Sequence, residues 1–193
     1  MARTLLKRIF RFIIDIHPNE NVEHHDSEKL IKDTLNELGL NIVITEKELD
    51  NIPESGSFIV VCNHPFGGID ALLLINTLAK KRPDIKIFAT DLINKVSIVK
   101  DYLIQFKTGK NANPFISSIG QIRHALSHLS KGHPLCIFPA GGVSTYSIDT
   151  RGITDRRWRE EYLKFIRSVN LPVIPIHISG SSGNLFHLIG SMS

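Results

Sequence analysis

The segment Asn63-His64-Pro65-Phe66-Gly67-Gly68-Ile69-Asp70 holds an imidazole and a carboxylate with five residues between them. A continuous apolar run, Ser57 to Cys62, precedes it, and a helical pattern opens at Asp70. A histidine at a strand's end meets an aspartate at a helix start only if the chain returns sharply, and Gly67 and Gly68 allow that return. A carboxylate bonded to one imidazole nitrogen fixes the tautomer and leaves the other nitrogen as a base. The helix dipole favours an acid at that position. The same residues also read as a helix-capping aspartate beside an ordinary loop histidine. Cys62 and His64 would point to one face of an extended strand, so a thiol nucleophile is compatible with the spacing; buried thiols in apolar strands are usually inert.

A second segment, Ile137-Phe138-Pro139-Ala140-Gly141-Gly142-Val143-Ser144, follows another buried run. Its glycine-rich backbone can present N–H groups to an anion, or it is a turn whose glycines serve packing. Lys100, Lys107, Lys110, Arg123 and Lys131 cluster with a single Asp, as phosphate contacts or as solvated side chains. His124 and His128 lie one helical turn apart, but the Glu of a metal-binding HExxH helix and an obvious third ligand are missing. They read as a polar helix face, and no metal is expected. His177 lies within an apolar strand and reads as a core histidine.

These residues need a scaffold. With 193 residues, 42% hydrophobic and 22% charged, the chain has the composition of one globular domain, which excludes disordered and low-complexity classes. Two cysteines exclude a disulfide framework. The formal charge of +4 suits an anionic partner without amounting to a nucleic-acid footprint. No apolar run reaches the roughly 18–20 residues of a membrane span. At the amino terminus, Leu5, Leu6, Ile9, Phe10, Phe12, Ile13 and Ile16 form one helical face. Lys7, Arg8 and Arg11 interrupt the apolar core that a secretory signal requires. Such a helix lies at a lipid interface or packs on its own domain.

Beyond it, spacing predicts a helix over 27–38, capped by Ser27 and stopped by Gly39, and a short strand over 41–45. A strand over 57–62 precedes a helix over 70–81 and a strand over 85–89. Helix is expected over most of 91–106 and over 114–131, then strand over 135–138, helix over 154–169 and strand over 172–178. Alternating buried strands and helices specify an α/β domain with a mainly parallel sheet flanked by helices. Ligands in such sheets bind beyond the strands' carboxyl ends, here after Cys62, Ala89, Phe138 and Ile178. The division expected is an amphipathic helical segment, 1–39, and an α/β domain, 40–193.

The Asn-His-Pro block, the Phe138-Pro139-Ala140-Gly141 block and the Pro172–His177 segment occur in the order found in glycerolipid acyltransferases, which the chain resembles from about Leu38 to Gly190. The five-residue spacer is similar to the hemolysin-like branch, which includes ornithine-lipid acyltransferases. The resemblance implies His64 as general base, oriented by Asp70, in transfer of a fatty acyl group from an acyl thioester to a hydroxyl of a lyso-lipid. The donor would be CoA or acyl carrier protein, with no metal or redox cofactor and no nucleic acid. Asn63, Pro65, Phe66, Gly67 and Gly68 would line the substrate site, as would Pro139, Ala140, Gly141, Gly142 and Ser144. Lys107 or Lys110 would meet a phosphate of donor or head group. Common members carry Glu where Ala140 stands, and the hemolysin-like form carries Glu where Gly142 stands; this chain has neither. Asp155 and Trp158 resemble an Asp-x-x-Trp feature of related chains, and Gly180 to Asn184 a pocket-lining turn. Related chains continue several dozen residues beyond Phe186, so the domain is expected to be short at its carboxyl end. The implied location is the cytoplasmic face of a membrane, bound peripherally.

Overall fold

A computed structural model describes residues 24–90, 97–106, 119–147 and 152–180. The amphipathic stretch 1–16, Lys107, Lys110 and the residues after Gly180 therefore lie outside the described residues.

The centre of the fold is β1 (Ile59–Cys62), a strand buried at every position. Its alternation divides the core in two. Val60 and Cys62 join one apolar cluster, while Ile59 and Val61 join the other, as the two-residue period of a strand requires. The first cluster is closed by α1 (His24–Glu37), which contributes Ile31 and Leu35, and by α3 (Gly68–Leu78), which contributes Ile69, Leu72 and Ile75. A 3₁₀ turn over Ser97–Tyr102 adds Ile98 and Val99. The second cluster is closed by α4 (Ile119–Ser130) and α5 (Glu160–Val169), through Ala125, Leu129, Tyr162 and Phe165. The result is a sheet with helices on both faces.

That sheet also contains β2 (Lys86–Thr90), β3 (Leu103–Phe106), β4 (Leu135–Ile137) and β7 (Val173–Ile176). Its order is β3-β2-β4-β1-β7, and all neighbouring pairs are parallel. Val61 stands opposite Ile137 on one side and Pro175 on the other. The carboxyl ends of β4, β1 and β7 are therefore adjacent, and the loops leaving them share one edge. At the opposite edge, buried Arg82 ties three turns together: its guanidinium donates to the carbonyls of Gly56 (2.7 Å) and Gly132 (2.8 Å) and to the Asp84 carboxylate (2.7 Å). His133 Nδ1 completes the group at 2.6 Å from Asp84 Oδ2.

Several sequence expectations are corrected. Helix α1 already includes His24, so Ser27 is buried inside it instead of capping it. Its end is as expected: Gly39 takes φ 67°, and Leu40 N–H reaches back to Leu35 O. Residues 41–45 form no strand. Leu40 and Ile42 pack inward while Val43 stays 87% exposed, so the alternation is real but no ladder partner accompanies it among the described residues. Thr45 instead forms a capping box with Glu48 and starts α2 (Glu46–Asp50). Residues 103–106, expected as helix, are strand β3. Leu103 and Ile104 face opposite clusters, and a short apolar run satisfies both templates until pairing with β2 selects one. The helix expected from 154 begins at Glu160, because 152–154 is β6 (Gly152–Thr154), antiparallel to β5 (Thr145–Ser147).

Candidate active site

The loop from β1 to α3 does what its glycines suggested. Gly67 sits at φ 68°, ψ −130° immediately before α3, a conformation that L side chains rarely adopt. The turn brings Asp70, the third residue of α3, back under His64. His64 Nδ1 lies 2.8 Å from Asp70 Oδ2, and Phe66 N–H donates to the same oxygen at 2.9 Å. Asp70 is fully buried, and its Oδ1 has no hydrogen-bond partner among the described residues. Burial raises its carboxyl above the ordinary 3.8, against the lowering effect of the bond and charge of His64 and of the Phe66 and Gly67 amides. A carboxylate can only accept, so Nδ1 carries the proton it donates to Asp70 and Nε2 keeps a free lone pair. The imidazole is 17% exposed and stacks on Phe138 at 4.2 Å, which sets its plane.

Three loops converge here. Asn63, after β1, clamps the loop after β7: its Nδ2 donates to Ile178 O at 2.8 Å, and Ile178 N–H donates to its Oδ1 at 2.7 Å. Phe66 packs toward Gly180, where a Cβ would come within 3.4 Å of the ring. From the loop after β4, Ser144 N–H donates to His64 O at 2.8 Å. Asp155 joins the two, its Oδ1 accepting from His64 N–H at 3.1 Å and from the Ser144 hydroxyl. Gly141 takes φ 66°, and a Cβ on it would lie 2.6 Å from Arg159 Cδ. Pro139 and Ala140 are buried, with Pro139 O accepting from Arg159 N–H at 2.9 Å.

Of the residues singled out in the sequence, His64, Asp70, Asn63, Phe66, Gly67, Pro139, Gly141 and Ser144 are thus brought into one contiguous assembly. Pro65 belongs to the same turn, Gly68 opens α3, and Gly142 lies in the loop with Gly141. Asp155 is a residue whose place in the site no spacing rule reveals, since it stands 91 positions from the loop it holds. The Asp-x-x-Trp likeness was the available signal. Cys62 is buried, and burial, with smaller contributions from the Asp70 and Asp155 charges, pushes its thiol up to about 12. That removes the thiolate a nucleophile needs. His177 is exposed beyond the end of edge strand β7, which corrects the core reading. His128 is buried, not on a polar face; burial pushes it down to about 4, and as a neutral ring its Nε2–H donates to Pro134 O at 3.0 Å. His124 is exposed. Among the described residues, no group of three or more His, Cys, Asp or Glu is placed to hold a metal.

Beside the loop runs a mostly apolar groove of about 950 Å³, lined by Ile42, Phe66, Ile69, Leu73, Ile176 and Ile178, with Glu48, Asn51 and Thr77 among its polar residues. Its volume and lining suit a hydrocarbon chain. Among the described residues, no helix is long and apolar enough to cross a membrane.

A family model described as Acyltransferase matches residues 24–193. Two curated relatives, each described as a lyso-glycine lipid O-acyltransferase, are similar to the chain. The one from Phocaeicola vulgatus is 24% identical over 199 residues, covering 96% of this chain and 68% of the relative. The one from Bacteroides thetaiotaomicron is 23% identical over 155 residues, covering 79% of this chain and 54% of the relative. The chain thus spans about two thirds of one relative's length and about half of the other's. Among solved structures, the 1-acyl-sn-glycerophosphate (LPA) acyltransferase PlsC from Thermotoga maritima shares the fold, with a TM-score of 0.58 at 21% identity, over 89% of this chain and 72% of that one.

Proposed function

The chain belongs to the acyltransferase family whose model spans residues 24–193, within the glycerolipid acyltransferase superfamily, and on that premise we propose that His64 is the general base of an O-acyl transfer from an acyl thioester to a lyso-lipid hydroxyl. The observation that carries this reading is the 2.8 Å contact between His64 Nδ1 and the buried Asp70 carboxylate, which leaves Nε2 as the basic atom. An alcohol is a poor nucleophile at neutral pH. Nε2 takes its proton as the oxygen attacks the thioester carbonyl carbon. The tetrahedral oxyanion collapses, the C–S bond breaks, and the departing thiolate takes the proton back from the imidazolium. The products are an ester and a free thiol. Asp70 stabilises the imidazolium while it lasts, and general-base help of this kind is worth about 10²- to 10⁴-fold. A thioester is already activated, so the inert thiol of Cys62 has no step to perform.

The apolar groove beside Phe66 is the proposed seat of an acyl chain, which contributes about 0.8 kcal/mol per buried CH₂. The proposed donor is acyl-CoA or acyl carrier protein, with Lys107 or Lys110 meeting a phosphate. For the acceptor, the names of the two curated relatives favour a lyso-glycine lipid over a lysophospholipid. The basic amphipathic stretch 1–16 supports peripheral attachment to an anionic membrane surface on the cytoplasmic side, and the five-residue spacer supports the hemolysin-like branch.

The test is to incubate the chain with labelled acyl-CoA or acyl carrier protein and a panel of lyso-lipids on vesicles, reading thiol release and labelled products. Thiol release that depends on a lyso-lipid and yields its acylated form is expected. Free fatty acid as the sole product would make the chain a thioester hydrolase. Vesicle binding without thiol release would make it a lipid-binding relative.

A further inference from the structure

Arg156, beside the site, forms no ion pair among the described residues. The stretch from Asp155 to Arg159 is tied to the catalytic loops at both ends: Asp155 Oδ1 accepts from His64 N–H, and Arg159 N–H donates to Pro139 O. Arg156 lies between these ties. Its Nη1 would be 3.9 Å from a Cβ on Gly142, the nearest approach to that point from any described residue outside 141–143. The guanidinium therefore lies next to the side-chain-free Gly142 in the loop that also carries Ser144. Its neighbours are committed elsewhere. Asp155 turns an oxygen to His64 and Ser144, and Arg159 covers Gly141 and approaches Glu161 at 3.7 Å. Arg156 itself is exposed.

We infer that Arg156 receives the anionic group of the acceptor's head group, a carboxylate or a phosphate, and that Gly142 leaves its guanidinium uncovered for that purpose. The inference deepens the proposed function and rests on it, since it places the acceptor beside His64. A guanidinium offers a planar fork of donors that matches either oxyanion, and charge-assisted pairs of this kind are the strong ones. The two backbone ties hold the segment in place before the ligand arrives, so less ordering is lost on binding. Gly142 is not in the left-handed region, and the space around it admits a side chain. A glutamate there could reach Arg156 and neutralise it.

The sole tryptophan, Trp158, is two residues away and 41% exposed, so its fluorescence reports binding without turnover. The probes are N-octanoylglycine, octanoyl lysophosphatidate and the neutral monooctanoylglycerol, each below its micelle concentration. The parent should bind at least one anionic probe about tenfold more tightly than the neutral one, as expected for a hydrogen-bonded charge pair. Arg156→Ala should erase that preference and leave the neutral probe's affinity and the urea midpoint unchanged, Arg156→Lys should restore part of it, and Gly142→Glu should erase it by pairing with the guanidinium. The anionic probe with the larger preference identifies the head group's chemistry. A preference that survives Arg156→Ala, or one absent from the parent, overturns the inference. Failure of the parent to transfer acyl groups would instead overturn the proposed function, because this assay involves no chemistry.

Discussion

Asn in place of Asp70 nearly preserves the side chain's shape and removes its charge, which separates Asp70's electrical role from its packing. Two donors converge on Oδ2, His64 Nδ1 at 2.8 Å and Phe66 N–H at 2.9 Å. If the amide keeps its oxygen there, both bonds survive, but the imidazolium formed during proton transfer loses its counter-charge. If the amide turns its NH₂ to the ring, Nδ1 becomes the acceptor, Nε2 carries the proton, and the base is gone. Either outcome lowers the rate, by about 10²- to 10⁴-fold, or about 2.7–5.5 kcal/mol of barrier. Stability moves the other way. Burial holds the Asp70 carboxyl above its ordinary 3.8 despite its hydrogen bonds. An acid with a raised pKa binds more protons folded than unfolded, so it costs stability as pH rises from the ordinary value through the raised one. Asp70→Asn lacks that slope and should equal or exceed the parent's stability at pH 7, with the advantage shrinking on acidification. The assay pairs initial rates of acyl transfer at saturating acceptor with urea midpoints across pH. Turnover close to the parent's, or a variant that is much less stable at neutral pH, would refute the reasoning.

Three further outcomes are expected. Gly141→Ala forces a Cβ into the left-handed region and to 2.6 Å from Arg159 Cδ, so a loss of about 1–2 kcal/mol from backbone strain alone should appear in the urea midpoint; an unshifted midpoint would contradict it. Cys62, its thiol pushed up to about 12, should resist iodoacetamide at pH 8 until the chain unfolds, and Cys62→Ala should keep acyl transfer; rapid alkylation of the folded chain would contradict the first expectation, and loss of transfer by the folded variant the second. Burial works to raise the Asp84 carboxyl, but the bonds from Arg82 and His133 prevail and hold it at about 2. Its stabilisation is present above the ordinary 3.8 and is lost as pH falls toward about 2, so Asp84→Asn should flatten the acid limb of the stability curve. An unchanged acid limb would contradict that assignment.

What the sequence disclosed follows from burial. Residues 59–62 and 135–137 read as strands because unbroken apolar runs bounded by turns are what a covered parallel sheet demands, and 173–176 carries the same apolar run although it is half-exposed. The His64–Asp70 return was legible because its glycines and helix start are local. Pairing was not. Leu103–Phe106 and residues 41–45 are both short and apolar-patterned, yet among the described residues only the first has a strand to pair with, and no local rule says which. The antiparallel β5–β6 pair carries no apolar run that marks it, because Thr145–Ser147 and Gly152–Thr154 are short and largely polar. His177 was misread because an edge strand and a central strand look alike in composition until the order of the sheet is known. Asp155 belongs to the site through hydrogen bonds from His64 N–H, 91 positions away, and from the Ser144 hydroxyl, relations that only the fold creates.

The most direct measurement is the rate of lyso-lipid-dependent thiol release by His64→Ala, taken beside its urea midpoint. The account predicts a folded chain whose stability falls by about 1–3 kcal/mol, because the buried Asp70 carboxylate keeps only the Phe66 N–H as donor to Oδ2. It also predicts a rate at least about a hundredfold lower, the low end of general-base catalysis. A folded His64→Ala chain that releases thiol at the parent's rate would contradict it.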